Sequence, residues 1–189
     1  LSFDLGTTGL KTSLFSAAGD VVASTTRPYP TSYPRPGWAE QNPEDWYEAT
    51  LHCIKKLGQS HDLSKVRALS FSGQMHGLVI LDDKDEVIRP AILWNDNRTA
   101  EQCDYLNNVI GKDRLISYTG NIAYAGFTAP KLLWLKENEP ESFKRIAKIM
   151  LPKDYVAYKA SGVFATDVSD ASGTLYFDVK GKKWSAGML

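Results

Sequence analysis

The sequence predicts an α/β domain, with a mixed sheet that contains an antiparallel meander and carries helices on both faces. Three observations carry that expectation. The chain opens with three strand-like runs separated by turns too short for a crossover, so they must pair antiparallel. From Pro43 onward, apolar residues at helical spacing alternate with short apolar runs, the order that lays helices on a sheet. The chain has 189 residues, 43% of them hydrophobic. A domain of that size buries roughly 70% of its unfolded surface without disulfide or metal. No repeat, low-complexity run or linker divides it, so residues 1–189 read as one domain.

LSFDL, from Leu1, is the first strand, KTSLFS, from Lys11, the second, and DVVASTTRPY, from Asp20, the third. The turns GTTG and SAAGD supply glycine where tight turns need it. Pro28, Pro30, Pro34, Pro36 and Pro43 make the next stretch unfit for helix or central strand. Asn42 caps the first helix, Pro43 suits its first position, and Asp45 favours its positive end. Trp46, Ala49, Thr50, Cys53, Ile54 and Leu57 form its buried stripe, and Gly58 ends it. VRALSFSG from Val66, LVILD from Leu78 and AILW from Ala91 read as strands. NDNRTAEQCDYLNNVIG reads as a helix capped by Asn95 or Asp96. APKLLWLKENEP, PESFKRIAKI and LPKDYVAYKASG are further helices, with a short strand at Ile149–Leu151. TDVSDASGTLYFDV is a turn or short helix and then a strand, and KKWSAGML opens as another helix. A chain that starts inside a strand and stops inside a helix is expected to be a piece of a longer protein.

Lys+Arg and Asp+Glu both number 22, so formal net charge is zero and nothing favours nucleic acid or an anionic membrane. No apolar run approaches the roughly 20 residues of a membrane span, and no secretory leader pattern opens the chain. Cys53 and Cys103 with His52, His61 and His76 offer no zinc spacing. A reduced, cytoplasmic protein is the expectation.

Four segments could carry chemistry. In DLGTTGLK an acid closes a strand, and Gly6, Thr7, Thr8 and Gly9 follow at once. Such a turn can offer backbone N–H groups and hydroxyls to a phosphate. Lys11 adds a cation, and Asp4 could hold Mg²⁺ through water. The same residues also make an ordinary hairpin turn. In SGQMHG two glycines bracket Gln74, Met75 and His76 at the end of a strand, where α/β sheets gather ligands. That mixture suits a polyol, although a loop histidine between strands reads the same way. In LWNDNR, Trp94 offers a flat face for sugar C–H groups, and Asn95, Asp96 and Asn97 offer polar atoms. Alternatively Asp96 caps a helix and Arg98 pairs with a carboxylate. TDVSDASGT, Thr166 to Thr174, reads as a structural capped turn.

In order, DLGTTGLK, GWAEQNPEDW, SGQMHG, RPAILWNDNR, TGN, GFTAPKLLW, LPKDY and TDVSDASGT resemble the FGGY family of carbohydrate kinases over almost the whole chain. The resemblance implies a ribonuclease H-like, actin-like ATPase fold. Residues 1–189 would be its N-terminal domain, sharing a cleft with a C-terminal domain. It implies that Thr7, Thr8 and Lys11 face the phosphates of ATP and that Asp4 faces Mg²⁺. Met75, His76, Trp94, Asn95 and Asp96 would line the sugar pocket. Met-His stands where glycerol kinases carry Arg-Glu, which favours a pentulose. The implied reaction is ATP-dependent phosphorylation of D-xylulose to D-xylulose 5-phosphate. Asn97 replaces the motif's glycine, and asparagine tolerates left-handed backbone better than most residues. The family's catalytic aspartate lies in a Gly-Asp segment of the second half. Gly19-Asp20 sits in a hairpin and does not match it, so the fragment alone is expected to be inactive. A kinase for ribulose, gluconate or glycerol and a catalytically silent sugar-binding lobe stay open as alternatives, as does a homodimer.

Overall fold

In the computed structural model, which describes residues 1–189, β1 (Ser2–Leu5), β2 (Gly9–Phe15) and β3 (Val21–Pro28) form the expected meander. β5 (Ser70–Gly73) adds to β1 in parallel, which gives the strand order β3-β2-β1-β5. Side chains alternate across this sheet. Phe3, Leu5 and Leu10 point inward and join one core with Trp46, Ala49 and Cys53 of α1 (Pro43–Gly58) and Tyr155 and Val156 of α6 (Pro152–Ser161). The opposite face carries a cross-strand row of Thr26, Lys11, Asp4 and Ser72, all exposed. The face that the sequence reading covered with further helices is therefore open along this row within these 189 residues.

α1 follows its signals closely. The Asn42 side chain accepts from the Glu44 amide, Pro43 occupies the first turn, and the expected stripe is buried apart from the half-buried Ile54. A second layer of short strands lies beneath. β4 (Glu40–Gln41) pairs with β7 (Ala91–Ile92), a Leu78–Ile92 bridge links β7 to the start of β6 (Val79–Leu81), and β6 pairs with β8 (Lys148–Met150). α4 (Thr128–Asn138), α7 (Val168–Ala171) and β9 (Phe177–Asp178) fall where the sequence places them, whereas α5 (Pro140–Lys144) covers only the first half of the helix expected over Pro140–Ile149, because Lys148 and Ile149 pair with β6 in β8. No helix is long and apolar enough to cross a membrane.

Other expectations also need correction. β5 starts at Ser70 rather than Val66, because the Val66 amide is used to close the short 3-10 turn Leu63–Lys65 by donating to Leu63 O, and ladder register with β1 begins at Ser70. The helix after β7 starts at Ala100 behind Thr99, not behind Asn95 or Asp96 (α2, Ala100–Asp104), and continues as a π-wound segment to Gly111. Lys112–Thr119, which the sequence reading left unassigned, is a helix, α3, closed by left-handed Gly120. KKWSAGML is not a helix start. Lys183–Trp184 forms β10, antiparallel to β9, with Trp184 edge-on to Phe177 at 5.6 Å.

Gly73 is where β5 comes closest to β1. A Cβ there would lie 2.6 Å from Leu5 Cβ and 2.8 Å from the Leu5 carbonyl oxygen. Backbone cannot step aside as a side-chain tip can, so Gly73→Ala should destabilise the domain by about 1–3 kcal/mol, the usual range for overpacking. Urea denaturation checks this.

Candidate functional site

β1 and β5 run parallel, so their carboxyl ends face the same way and the loops after them meet. The first loop is the Gly6–Gly9 turn. The Gly6 amide donates to Asp4 O and Gly9 O, both at 3.1 Å, and the Tyr29 hydroxyl donates to Gly6 O. A Cβ on Gly9 would lie 2.9 Å from Arg27 O, so only glycine fits there without movement. No hydrogen bond within the chain uses the amides of Thr7 and Thr8. The Asp4 carboxylate and Lys11 ammonium are exposed and have no partner within the chain. Free amides, a hydroxyl, a cation and an unpaired carboxylate fit a phosphate and its metal, the first through a backbone nest and the second through water.

The second loop follows β5. The Gln74 amide donates to Leu5 O at 2.7 Å, which clamps this loop onto the first strand's end. His76 has φ +61°, and the Gly77 amide donates back to Met75 O at 2.7 Å. This is a γ-turn of the rare positive-φ kind, a strained geometry that clusters at functional sites. The His76 ring lies 4.8 Å from the Phe127 ring. On its other side is Gly173, where a Cβ would lie 2.1 Å from His76 Cε1. Burial first, and then the Lys131 charge, hold the imidazole pKa below its usual value, so the ring is neutral at pH 7. Its Nδ1 is buried with no partner in the chain. Met75 and Trp94 are exposed at 41% and 42%. Trp94 reaches across to the first loop, where its Nε1 donates to Thr7 Oγ1 at 3.1 Å.

Beneath both loops lies Gln41, which is 2% exposed. Its Nε2 donates to Thr7 O at 2.6 Å and to Thr31 Oγ1 at 2.7 Å. Its Oε1 accepts from Trp46 Nε1 and from Gln74 Nε2, both at 2.9 Å. An indole N–H only donates and a carbonyl only accepts, so the orientation of both amides is determined. Gln74 must turn its NH₂ toward Gln41, which leaves its buried Oε1 without a partner in the chain. Asn95 Oδ1 is buried and unpartnered as well.

Asp96 does not reach the open surface between the loops. It is 1% exposed, and its carboxylate accepts from the Ala39 amide at 2.6 Å, the Arg98 amide at 2.9 Å and the Arg98 guanidinium at 2.7 Å. Arg98 also pairs with Glu40 at 2.7 Å and lies 3.7 Å above the Trp38 ring. The structural alternative for this pair is the one realised, except that Asp96 anchors the loop and does not cap α2. TDVSDASGT is more than a capped turn. Asp167 does cap α7, and Asp167 and Asp170 pair with Lys153 at 2.6 and 3.3 Å, but Gly173 is also the wall behind His76. A mainly apolar hollow of about 540 Å³ adjoins the elements around His76, lined by Thr128 and Thr174 together with Met150, Phe164, Tyr176 and Trp184. The site is an open floor on which Asp4, Thr8, Lys11, Met75 and Trp94 are exposed.

The family model described as FGGY family of carbohydrate kinases, N-terminal domain, matches residues 1–189. The chain belongs to the FGGY family of carbohydrate kinases. The xylulose kinase of Escherichia coli (strain K12) is 48% identical over 189 residues, covering all of this chain and 39% of that protein. The xylulose kinase of Staphylococcus xylosus is 46% identical over the same coverage. Among solved structures, a xyloylose kinase from Brucella ovis matches with a TM-score of 0.94 at 40% identity, covering 99% of this chain and 39% of that one. A gluconate kinase from Lactobacillus acidophilus matches at 0.92 and 32% identity, covering 99% and 38%. The chain spans about two-fifths of the length of these relatives. The actin-like ATPase fold expected from the motifs is the fold of these FGGY kinases.

Sequence reasoning passed over Gln41, Phe127, Lys131 and Gly173 as individual residues. Lys131 had a signal, since a lysine on the buried side of an apolar helix needs a reason. It is 0% exposed, and burial brings its pKa down to about 7, with Asp96 and Cys103 pulling up and Arg98 pushing down. The unfolded amine keeps its proton to about pH 10.4. The unfolded chain therefore holds more protons between these values, and stability from this residue rises with pH across that window. The stability of wild type relative to Lys131→Met should grow by at most about 1.4 kcal/mol per pH unit from pH 7 to 10 and be level below it, as read by urea unfolding. Gln41→Leu should destabilise by about 2 kcal/mol or more, because it strands the buried Trp46 and Gln74 donors. Thermal unfolding measures that.

Proposed function

We propose that the protein containing this chain transfers the γ-phosphoryl group of ATP to a hydroxyl of D-xylulose, giving D-xylulose 5-phosphate. Residues 1–189 would form the lobe that carries the sugar and meets the nucleotide's phosphates. The observation that carries this reading is the contact of the two loops. Trp94, on the sugar side, donates to Thr7 of the phosphate turn, and Gln41 joins that turn to Gln74. Donor phosphate and acceptor sugar would thus lie on one floor. Gln74 Oε1, His76 Nδ1 and Asn95 Oδ1 are buried without partners in the chain, so a sugar hydroxyl would reach them only once the loops shift on binding. Met75 and the Trp94 face add apolar contact for its carbons. The relatives of highest identity named above are xylulose kinases, which supports the choice of sugar.

Phosphoryl transfer depends on positioning and charge stabilisation more than on covalent help. In this reading the free amides of Thr7 and Thr8 and the Lys11 ammonium hold phosphate oxygens. Mg²⁺, held through water by Asp4, supplies charge neutralisation when bound. Neutral His76 accepts a sugar hydroxyl and orients it. The hydroxyl's proton needs a base, and the carboxylates near His76 are engaged, Asp96 by Arg98 and Asp170 by Lys153. We place the base in the part of the relatives' length that this chain does not span, in a second domain that closes over the open floor and excludes water.

A second reading, phosphorylation of gluconate, is favoured by the structural match to a gluconate kinase. Initial rates of the full-length protein with D-xylulose, ribulose, gluconate and glycerol separate the two. The expected outcome is a kcat/KM at least tenfold higher for D-xylulose, and a preference for any other acceptor refutes the assignment. Asp4→Ala should lower kcat at least 100-fold with the fold intact, whereas unchanged turnover removes Asp4 from the nucleotide side.

A further inference from the structure

Lys131 is a fully buried lysine with no carboxylate within ion-pair distance. Burying a charge without a partner is expensive, and proteins normally avoid it. Its Nζ has two acceptors, His76 O at 2.9 Å and Gly126 O at 2.6 Å. The lysine nitrogen is a donor and these two carbonyls are its hydrogen-bond partners in the chain. Both belong to the site's floor. His76 is the residue in the positive-φ γ-turn. Gly126 lies against the loop of Trp94, where a Cβ would come 2.8 Å from Trp94 O. Thr128 Oγ1 makes a second donation to the same His76 carbonyl at 3.2 Å. A carbonyl held from below by two donors cannot rotate, so the peptide cannot relax out of its strained φ. The ring is then trapped between Phe127 and the Gly173 backbone, with Nδ1 unpartnered.

We propose that Lys131 is a positioning residue for the sugar acceptor. Its amine ties the His76 and Gly126 carbonyls together and so keeps the imidazole and the Trp94 loop at the geometry that grips the sugar. This rests on the sugar-side reading of that loop. Lys131 acts through His76 and touches neither sugar nor nucleotide.

The test compares full-length wild type, Lys131→Met and Thr128→Val. Methionine keeps the chain's volume and removes both donations, and valine removes only the weaker one. Separate KM values are measured for the sugar and for ATP, and the His76 ring resonances are recorded by ¹H–¹⁵N NMR with no substrate present. For Lys131→Met the expected result is a sugar KM raised at least tenfold, an ATP KM within twofold of wild type, and displaced His76 resonances. For Thr128→Val the same signs are expected at a few-fold size. An unchanged sugar KM in folded Lys131→Met overturns the proposal, as does an equal rise in both KM values, which marks general loosening. If Lys131→Met does not fold, Thr128→Val decides. A selective rise in sugar KM supports the role, and no rise removes it. If the wild type prefers another acceptor, the sugar assignment fails, while the resonance shift and the KM for that acceptor still decide the role of Lys131.

Discussion

A single buried amide, that of Gln41, ties together the segments from which the candidate site is built. It gives one donor to the carbonyl of Thr7 and takes one from Gln74, so the loops after β1 and β5 share a partner. It also takes the indole N–H of Trp46, a residue with no exposed surface in the main core. Hydrophobic packing of α1 is thereby converted into the placement of a turn and a loop at the carboxyl ends of β1 and β5. Packing alone could not do this, since apolar contact is nondirectional, whereas hydrogen bonds to an amide have direction.

The neighbouring residue, Glu40, does the equivalent for the Trp94 loop. Its carboxylate takes Arg98, which Asp96 holds from the other side and which lies over Trp38 and Trp134. Such a buried network is weak evidence for net stability, because desolvation opposes the Coulomb gain. It does set geometry, because removing one partner leaves an uncompensated charge. With Gln41 on one loop pair and Glu40 on the third loop, the two residues of β4 position most of the floor. The strain at His76 is what this rigidity supports. A left-handed histidine persists only where its surroundings over-determine it, and here Lys131, Thr128, Phe127 and Gly173 do so.

Local signals were enough for much of the architecture. The short glycine turns dictated the meander, and Asn42-Pro43 with the apolar stripe dictated α1 to within a residue. Failures came where no local signal existed. β5 began late because Val66 is used to close the Leu63–Lys65 turn, and Lys183–Trp184 became a strand because β9 was there to pair with it. The helix after β7 started late because Asp96, a good cap by type, was taken by Ala39 and Arg98.

The site divides the same way. Asp4, Thr7, Thr8, Met75, His76 and Trp94 were candidates from the chain alone, because residue type within short motifs carries the chemistry proposed for them, and such motifs are local in sequence. Gln41, Lys131 and Gly173 could not, since glutamine, lysine and glycine look ordinary at those positions. Their roles exist only through contacts between residues far apart in the chain, such as Lys131 on the His76 carbonyl and Gly173 against the His76 ring. Asp96 shows the converse. Its type suggested a ligand group, but a carboxylate has a limited number of lone pairs, and folding had already directed them to Ala39 and Arg98.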